Sequence, residues 1–262
     1  CYDRSMTSRR KLFLFIALAI VIVALGVILL ASRSDQSQTN NEQGGGATSD
    51  ASLASNCDEI PLPVDISQVT AVLYPGQVRG DDYKPHGGLR FDDADSNAIT
   101  VSAPLAATVT QGSRYIESDE VQYMFDFETS CGLNYRFDHL KTLSSKLQAA
   151  AETLPEPKID DSRTTPIKNV AVTAGEVIAT AVGFESSPSG LNVSFDFGVY
   201  SQKQRNSAAS DPAWVAAHQE DGDQAIYAMC WLDLLSASDA TRLKSLPTST
   251  YTTTSNISDY CK

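Results

Sequence analysis

Histidine is scarce. The 262 residues hold three, His86, His139 and His218, so any metal site built on imidazole has very few positions to draw from. Among the five cysteines there is no Cys-x-x-Cys and no Cys-x-x-His spacing, which argues against a cysteine-based zinc site. Positive charge is also short, with 20 Lys and Arg against 32 Asp and Glu. Arg4, Arg9, Arg10 and Lys11 against Asp3 leave residues 1–31 at +3, so the other 231 residues carry −15. A surface of that sign repels nucleic acid, anionic lipid and anionic wall polymers, and nucleic acid is excluded as a partner. A solvated acidic surface that aids solubility explains the charge more simply than a dedicated cationic partner does.

Charge vanishes altogether from Leu12 to Ala31, a run of 20 residues. As a helix rising ~1.5 Å per residue, it spans ~30 Å of hydrocarbon, which makes residues 12–31 a transmembrane anchor. Arg9, Arg10 and Lys11 precede it and only Arg33 follows before acidic and polar residues begin. The positive-inside bias therefore puts residues 1–11 in the cytoplasm and the main domain outside the cell membrane, in a single-pass topology. A cleaved signal peptide is the competing reading, but it calls for an apolar run of ~7–15 residues and a clean small-x-small cleavage site. Met6 reads as a start, with residues 1–5 an upstream remnant. Residues 32–56 contain one leucine, no aromatic residue and Gly44-Gly45-Gly46. They cannot bury a core and read as a flexible tether with a reach of ~25–30 Å.

From Cys57 onward, apolar and polar residues alternate in short runs: Val69–Tyr74, Ala98–Ala103, Ala107–Gln111, Val121–Glu128, Val170–Val172, Val177–Val182 and Leu191–Tyr200. With turn residues between them, these predict a mostly β domain, an antiparallel sheet or sandwich with short helices. The clearest helix signal there is Asp138 as an N-cap with Leu140, Leu143 and Leu147 on one face. Glu152 to Pro166, with three prolines, reads as a polar loop. After Ser201 the character changes. Asp211-Pro212 opens a helix over 213–219, residues 225–235 are apolar and aromatic, and Ser236 with Asp239 resembles a capping box ahead of Leu243 and Leu246. The division is thus a β domain over 57–201 and a helical and loop extension over 202–262, whose end at Cys261-Lys262 reads as a truncated tail. Cys57, Cys131, Cys230 and Cys261 all lie beyond the anchor, and an even count in an oxidising compartment points to two disulfides. Three pairings are possible, and loop closure alone favours Cys57 with Cys131 and Cys230 with Cys261.

Three segments, His86-Gly-Gly-Leu-Arg90-Phe91, Phe137-Asp138-His139-Leu140 and Gly190-Leu-Asn192-Val-Ser194-Phe-Asp196, have the order and spacing of a zinc site. Together they resemble the lysostaphin-like, LytM-type zinc endopeptidases of bacterial cell walls. The pattern of that family is His-x-x-x-Asp, then His-Leu, then His-x-His followed by Phe-Glu. Val101-Ser-Ala-Pro104 with Ala107-Thr-Val109 is similar to the family's Ala-Pro, Gly-x-Val hairpin, with Ala107 where glycine is usual. Val172 to Ala179 is similar to its Val-x-x-Gly-x-x-Ile-Gly strand pair. The likeness covers Tyr74 to Tyr200, about half the chain. It implies a LytM-like β domain in which His86 is a metal ligand and His139 orients, or exchanges protons with, an attacking water.

The chain departs from the pattern where the metal would bind. Arg90 stands in place of the first aspartate ligand, and Asn192 and Ser194 in place of the two histidines of His-x-His. Alternation puts Asn192 and Ser194 on one strand face, as a chelating pair requires, with Val193, Phe195 and Phe197 facing the core. A catalytic zinc needs three protein ligands, and of the family's set only His86 remains. An amide and a hydroxyl are poor zinc donors, and Arg90 brings a permanent positive charge. Asp196 and His139 could substitute only if Arg90 were expelled. The expectation is a degenerate site with no metal, no cofactor and no catalytic residue, His139 being vestigial. Its groove is formed by His86, Arg90, His139, Asn192, Ser194 and Asp196, with Arg90 paired to Asp196. The function implied is a non-catalytic cell-wall binding or regulatory module whose partner is a peptidoglycan peptide or a cell-wall hydrolase, by analogy with degenerate members that activate cell-wall amidases. The alternative is an active zinc endopeptidase cutting peptidoglycan cross-links. A purely structural extracytoplasmic domain is a third reading.

Overall fold

Aromatic residues at every second position of three long strands decide where the core sits. In the computed structural model, which describes residues 57–80, 82–187, 190–248 and 257–261, the strands are β1 (Ala71–Leu73), β2 (Gln77–Arg79), β3 (Asp82–Lys84), β4 (Gly87–Arg90), β5 (Val101–Ser102), β6 (Ala107–Glu117), β7 (Glu120–Glu128), β8 (Leu133–Leu143), β9 (Thr165–Val172), β10 (Val177–Val182), β11 (Phe184–Ser187), β12 (Gly190–Asn192) and β13 (Ser194–Ser201). The cytoplasmic segment 1–11, the anchor 12–31 and the tether 32–56 expected from the sequence lie outside the described residues. Among the described residues no helix is long and apolar enough to cross a membrane.

Nine strands form one antiparallel sheet in the order β1-β4-β13-β8-β7-β6-β9, with β10 joining β8 to β5. The fold is mostly antiparallel β with a few short helices. Phe125 and Phe127 on β7, Tyr135 and Phe137 on β8, and Phe195 and Phe197 on β13 are each at most 2% exposed. Their rings meet across the strands, Phe127 and Tyr135 with centroids 4.6 Å apart and Phe137 and Phe197 at 5.4 Å. Each such ring contributes ~2–3 kcal/mol by leaving water. Because side chains alternate along a strand, the residues between and next to them, Asp126, Arg136, Asp138, Ser194 and Asp196, lie on the opposite face of the same sheet. That polar face carries the candidate site.

The helix expected from Asp138 onward is corrected: β8 continues as strand to Leu143, and the helix α1 (Ser145–Ala151) begins only after Ser144. The misreading has a physical cause. A bulge at Asp138 and His139 and a second irregularity in the pairing with β10 break the two-residue alternation, so buried Phe137, Leu140 and Leu143 fall three apart, as on a helix.

The C-terminal region holds α2 (Pro212–Ala217), α3 (Gly222–Tyr227) and α4 (Ala237–Lys244). Asp211 caps α2 by accepting from the Ala213 N–H at 2.8 Å, and Ser236 caps α4 by accepting from Asp239 at 3.2 Å. This region packs into the core of the sheet. Trp231, Leu232 and Leu243 are fully buried there, the Trp231 ring 5.3 Å from Phe197. Disulfides join Cys57 to Cys131 and Cys230 to Cys261, with Cα separations of 5.9 and 5.0 Å.

Candidate functional site

His139 reaches the polar face because the β8 bulge holds it at φ 58°, a left-handed conformation in which histidine is several-fold enriched over most residues. The bulge is held by its own side chain. The Asp138 carboxylate accepts from the His139 N–H at 2.7 Å and from the Tyr115 hydroxyl at 2.6 Å. Tyr115 in turn lies 3.2 Å from His139 Nδ1, and Glu117 Oε2 is 3.9 Å from the same nitrogen. Burial by itself would lower the His139 pKa, but Asp138, Asp196 and Glu117 outweigh it and hold the imidazole above its ordinary value. Burial raises the Glu117 carboxyl.

Asp196 is the hub of the site, its side chain 11% exposed. Gly88 lies opposite it on β4, and a Cβ there would come within 2.9 Å of Asp196 Oδ1. The absence of that side chain leaves room for three cationic or imidazole partners. Arg79 Nη1 is 3.1 Å from Oδ1, His86 Nε2 is 2.9 Å from Oδ2, and His139 Nε2 is 3.8 Å from Oδ2. Arg79 also donates to the His86 carbonyl at 3.2 Å. Burial would raise the Asp196 pKa, but Arg79, His86 and His139 hold it well below the usual carboxylate range. His86 moves the other way from His139: its burial dominates over its pairing with Asp196 and lowers its pKa, favouring the neutral ring.

The expected pairing of Arg90 with Asp196 is corrected. In the register of β4 and β13, Arg90 lies opposite Ser194 and Gly88 opposite Asp196. Arg90 instead makes a forked contact with Asp92, at 2.6 Å from Nη2 and 3.0 Å from Nε. The cation on Asp196 is Arg79, carried over by the β2–β3 hairpin.

That hairpin is fastened by the C-terminal region. Asp259 N–H donates to the Gly76 carbonyl, Ser258 Oγ to that of Pro75 and Tyr260 OH to that of Pro85, at 2.9, 2.6 and 2.7 Å. Cys261 next to them is tied to Cys230. Tyr83 packs on His218, ring centroids 4.2 Å apart, and His218 stacks on Trp214.

A cleft of about 700 Å³ opens over this network. His86, Arg90, His139, Asn192, Ser194 and Asp196, the residues singled out from the sequence, all line it. Sequence reasoning missed Arg79, Tyr115, Glu117 and Asp138 as members. Arg79 sits in a polar stretch with no motif, and Asp138 has the sequence signature of a helix cap. Among the described residues, none beyond Asp196 contributes to its walls.

No family model and no curated protein matches the chain. Among solved structures, the "Crystal Structure of SpoIIIAH and SpoIIQ Complex" is similar, at 17% identity over 55% of this chain and 93% of that chain, with a TM-score of 0.32. A likeness that slight supports no inference.

Proposed function

We propose that this chain is a membrane-anchored extracytoplasmic module with the frame of a LytM-type zinc endopeptidase and without its chemistry, and that its cleft holds a cell-wall peptide or the surface of a cell-wall hydrolase instead of cutting it. The observation that carries the reading is the occupancy of the Asp196 carboxylate: Arg79 at 3.1 Å and His86 at 2.9 Å already satisfy it. The donor set does not suit zinc. Of the ligand positions in the resemblance, only His86 offers a good donor, while Arg90 takes the carboxylate position and Asn192 and Ser194 take those of the histidines. An ion placed among these groups would also meet the Arg79 guanidinium, a repulsion of several kcal/mol at an effective dielectric near ~20. What remains is a walled polar cleft with fixed donors and acceptors, which is a binding surface. The anchor rests on residues 12–31 and the Arg9-Arg10-Lys11 cluster, and protease added to intact spheroplasts should remove the outer domain.

The direct test is metal content with reversion. The parent is expected to purify without zinc and to leave peptidoglycan peptides uncut, while Arg90→Asp with Asn192→His and Ser194→His, combined with Arg79→Met to remove the guanidinium that faces the site, should gain zinc. One equivalent of zinc in the parent, lost on His86→Ala, would overturn the reading in favour of the active endopeptidase.

A further inference from the structure

Beyond Arg136, on the same polar face, lies a second cleft of about 510 Å³ lined by β6, β7, β8, β13 and α3, a volume suited to a small ligand. Arg136 lines both clefts. Its guanidinium is locked to Asp126 by two hydrogen bonds of 2.6 and 2.9 Å, so the charges at this wall cancel. Neutral amides dominate the rest: Asn134, Gln202, Gln224 and Gln111. Gln202 donates to the Asn134 carbonyl at 3.0 Å, and the Gln224 carbonyl accepts from Arg136 at 3.2 Å. Each of these amides has a second polar atom with which to meet a ligand. Tyr200, which also lines this cleft, carries a polar atom without a partner. It is 9% exposed, and its hydroxyl is buried with no hydrogen-bond partner among the described residues. That hydroxyl lies over Gly198, where a Cβ would come within 2.6 Å of it, directly across from Arg136 in the strand register. A buried hydroxyl without a partner is costly, and because this oxygen is closed to solvent a ligand hydroxyl reaches it only when the side chains covering it shift.

We propose that this second cleft binds a neutral saccharide. Sugar hydroxyls both donate and accept, and a planar amide does the same at fixed spacing, so neighbouring hydroxyls can be satisfied by one Asn or Gln. Among the aromatic lining residues, Phe127, Tyr135 and Tyr200 are buried and Tyr227 of α3 is half-buried, which leaves the Tyr227 ring to stack on the C–H face of a sugar. An anionic ligand gains little from an Arg136 already neutralised by Asp126 and is repelled by Asp223 at the rim. An extended peptide would find no apolar pocket for its side chains, because Phe127 and Tyr135 are spent in the core. Arg136 apart, none of these residues belongs to the first cleft, so the proposal stands or falls separately from the function proposed above.

The experiment is calorimetric titration of the full chain, kept in a detergent without a sugar headgroup, with tetramers of N-acetylglucosamine, of glucose and of alanine. At least one saccharide should bind saturably. Tyr227→Ala, and Asn134→Leu combined with Gln224→Leu, should each weaken it tenfold or more, while Arg90→Ala in the first cleft should leave it unchanged. Because Tyr227→Ala removes packing from a short helix, Tyr227→Phe is the companion variant: it keeps the ring and should bind within twofold of the parent. Absence of saturable saccharide binding up to about 20 mM, the weak end of the measurable millimolar range, would overturn the proposal. So would binding of the alanine tetramer alone, or saccharide binding that the cleft variants do not change.

Discussion

Replacing Arg79 by methionine keeps much of the aliphatic stem and removes the guanidinium, and so tests whether the Asp196 network holds the site together. The side chains of Arg79 and Asp196 are 12% and 11% exposed, so water compensates the lost cation poorly. Removing one partner of a buried ion pair costs about 3–5 kcal/mol, because the other charge stays behind uncompensated. Asp196 still keeps His86 at 2.9 Å, which places the expectation at the low end, about 3 kcal/mol. At about 2–4 °C per kcal/mol for a domain of this size, Tm should fall by about 6–12 °C. The pH dependence is the sharper test. A carboxylate whose pKa is depressed in the folded state lends stability above its unfolded value, ~3.9, and that stability is lost as pH falls through the folded value. Burial opposes the depression of Asp196, and Arg79 leads the groups that produce it, so the variant gives part of it up. The gap between parent and variant should therefore be widest at neutral pH and should narrow below about pH 4. Urea unfolding at several pH values measures it, and Arg79→Met combined with Asp196→Asn should cost less than the two single changes added together. A difference under about 1 kcal/mol at neutral pH, the size expected of an exposed pair, or a gap that does not change with pH, would refute the reasoning.

The two histidines on Asp196 should titrate on opposite sides of the ordinary imidazole value near ~6.5: His86 below it, because burial dominates, and His139 above it, because Asp138, Asp196 and Glu117 outweigh burial. By linkage, His139 lends stability that is full below ~6.5 and lost as pH rises through its folded value, while His86 costs stability as pH falls from ~6.5 toward its folded value. Long-range proton–nitrogen NMR of the imidazoles reads both, and the reverse order would contradict the assigned network. Non-reducing peptide mapping should recover Cys57 linked to Cys131 and Cys230 linked to Cys261, each contributing about 2–4 kcal/mol; four thiols open to alkylation in the native protein would rule this out. Loss of the second link should also loosen the β2–β3 hairpin, seen as faster hydrogen exchange over residues 77–84, because residues 258–261 hold its two ends.

The sequence by itself determined the class of the fold and six of the residues that line the cleft. Two-residue alternation is a local property of the chain, so Phe195 and Phe197 could be assigned to the core without knowing what lay opposite; Asn192 and Ser194 both reach the cleft, but the expected single strand is broken at Val193, with Asn192 on β12 and Ser194 on β13 in different sheets. Helix caps are equally local, and Asp211 and Ser236 could be read for the same reason. Tertiary structure decided the rest. The bulge that turns His139 onto the polar face depends on Asp138 and Tyr115 meeting across strands, and in sequence it imitates a helix. Which cation reaches Asp196 was settled by strand register, which sets Arg90 beside Ser194, and by a hairpin that brings Arg79 over from another part of the chain. The region after Ser201 reads in sequence as an appendage, yet it fills the core with Trp231 and fastens that hairpin. Arg79 and Asp196 are 117 positions apart, and Tyr260 and Pro85 are 175 apart; a periodicity that spans only neighbouring residues carries no trace of such contacts.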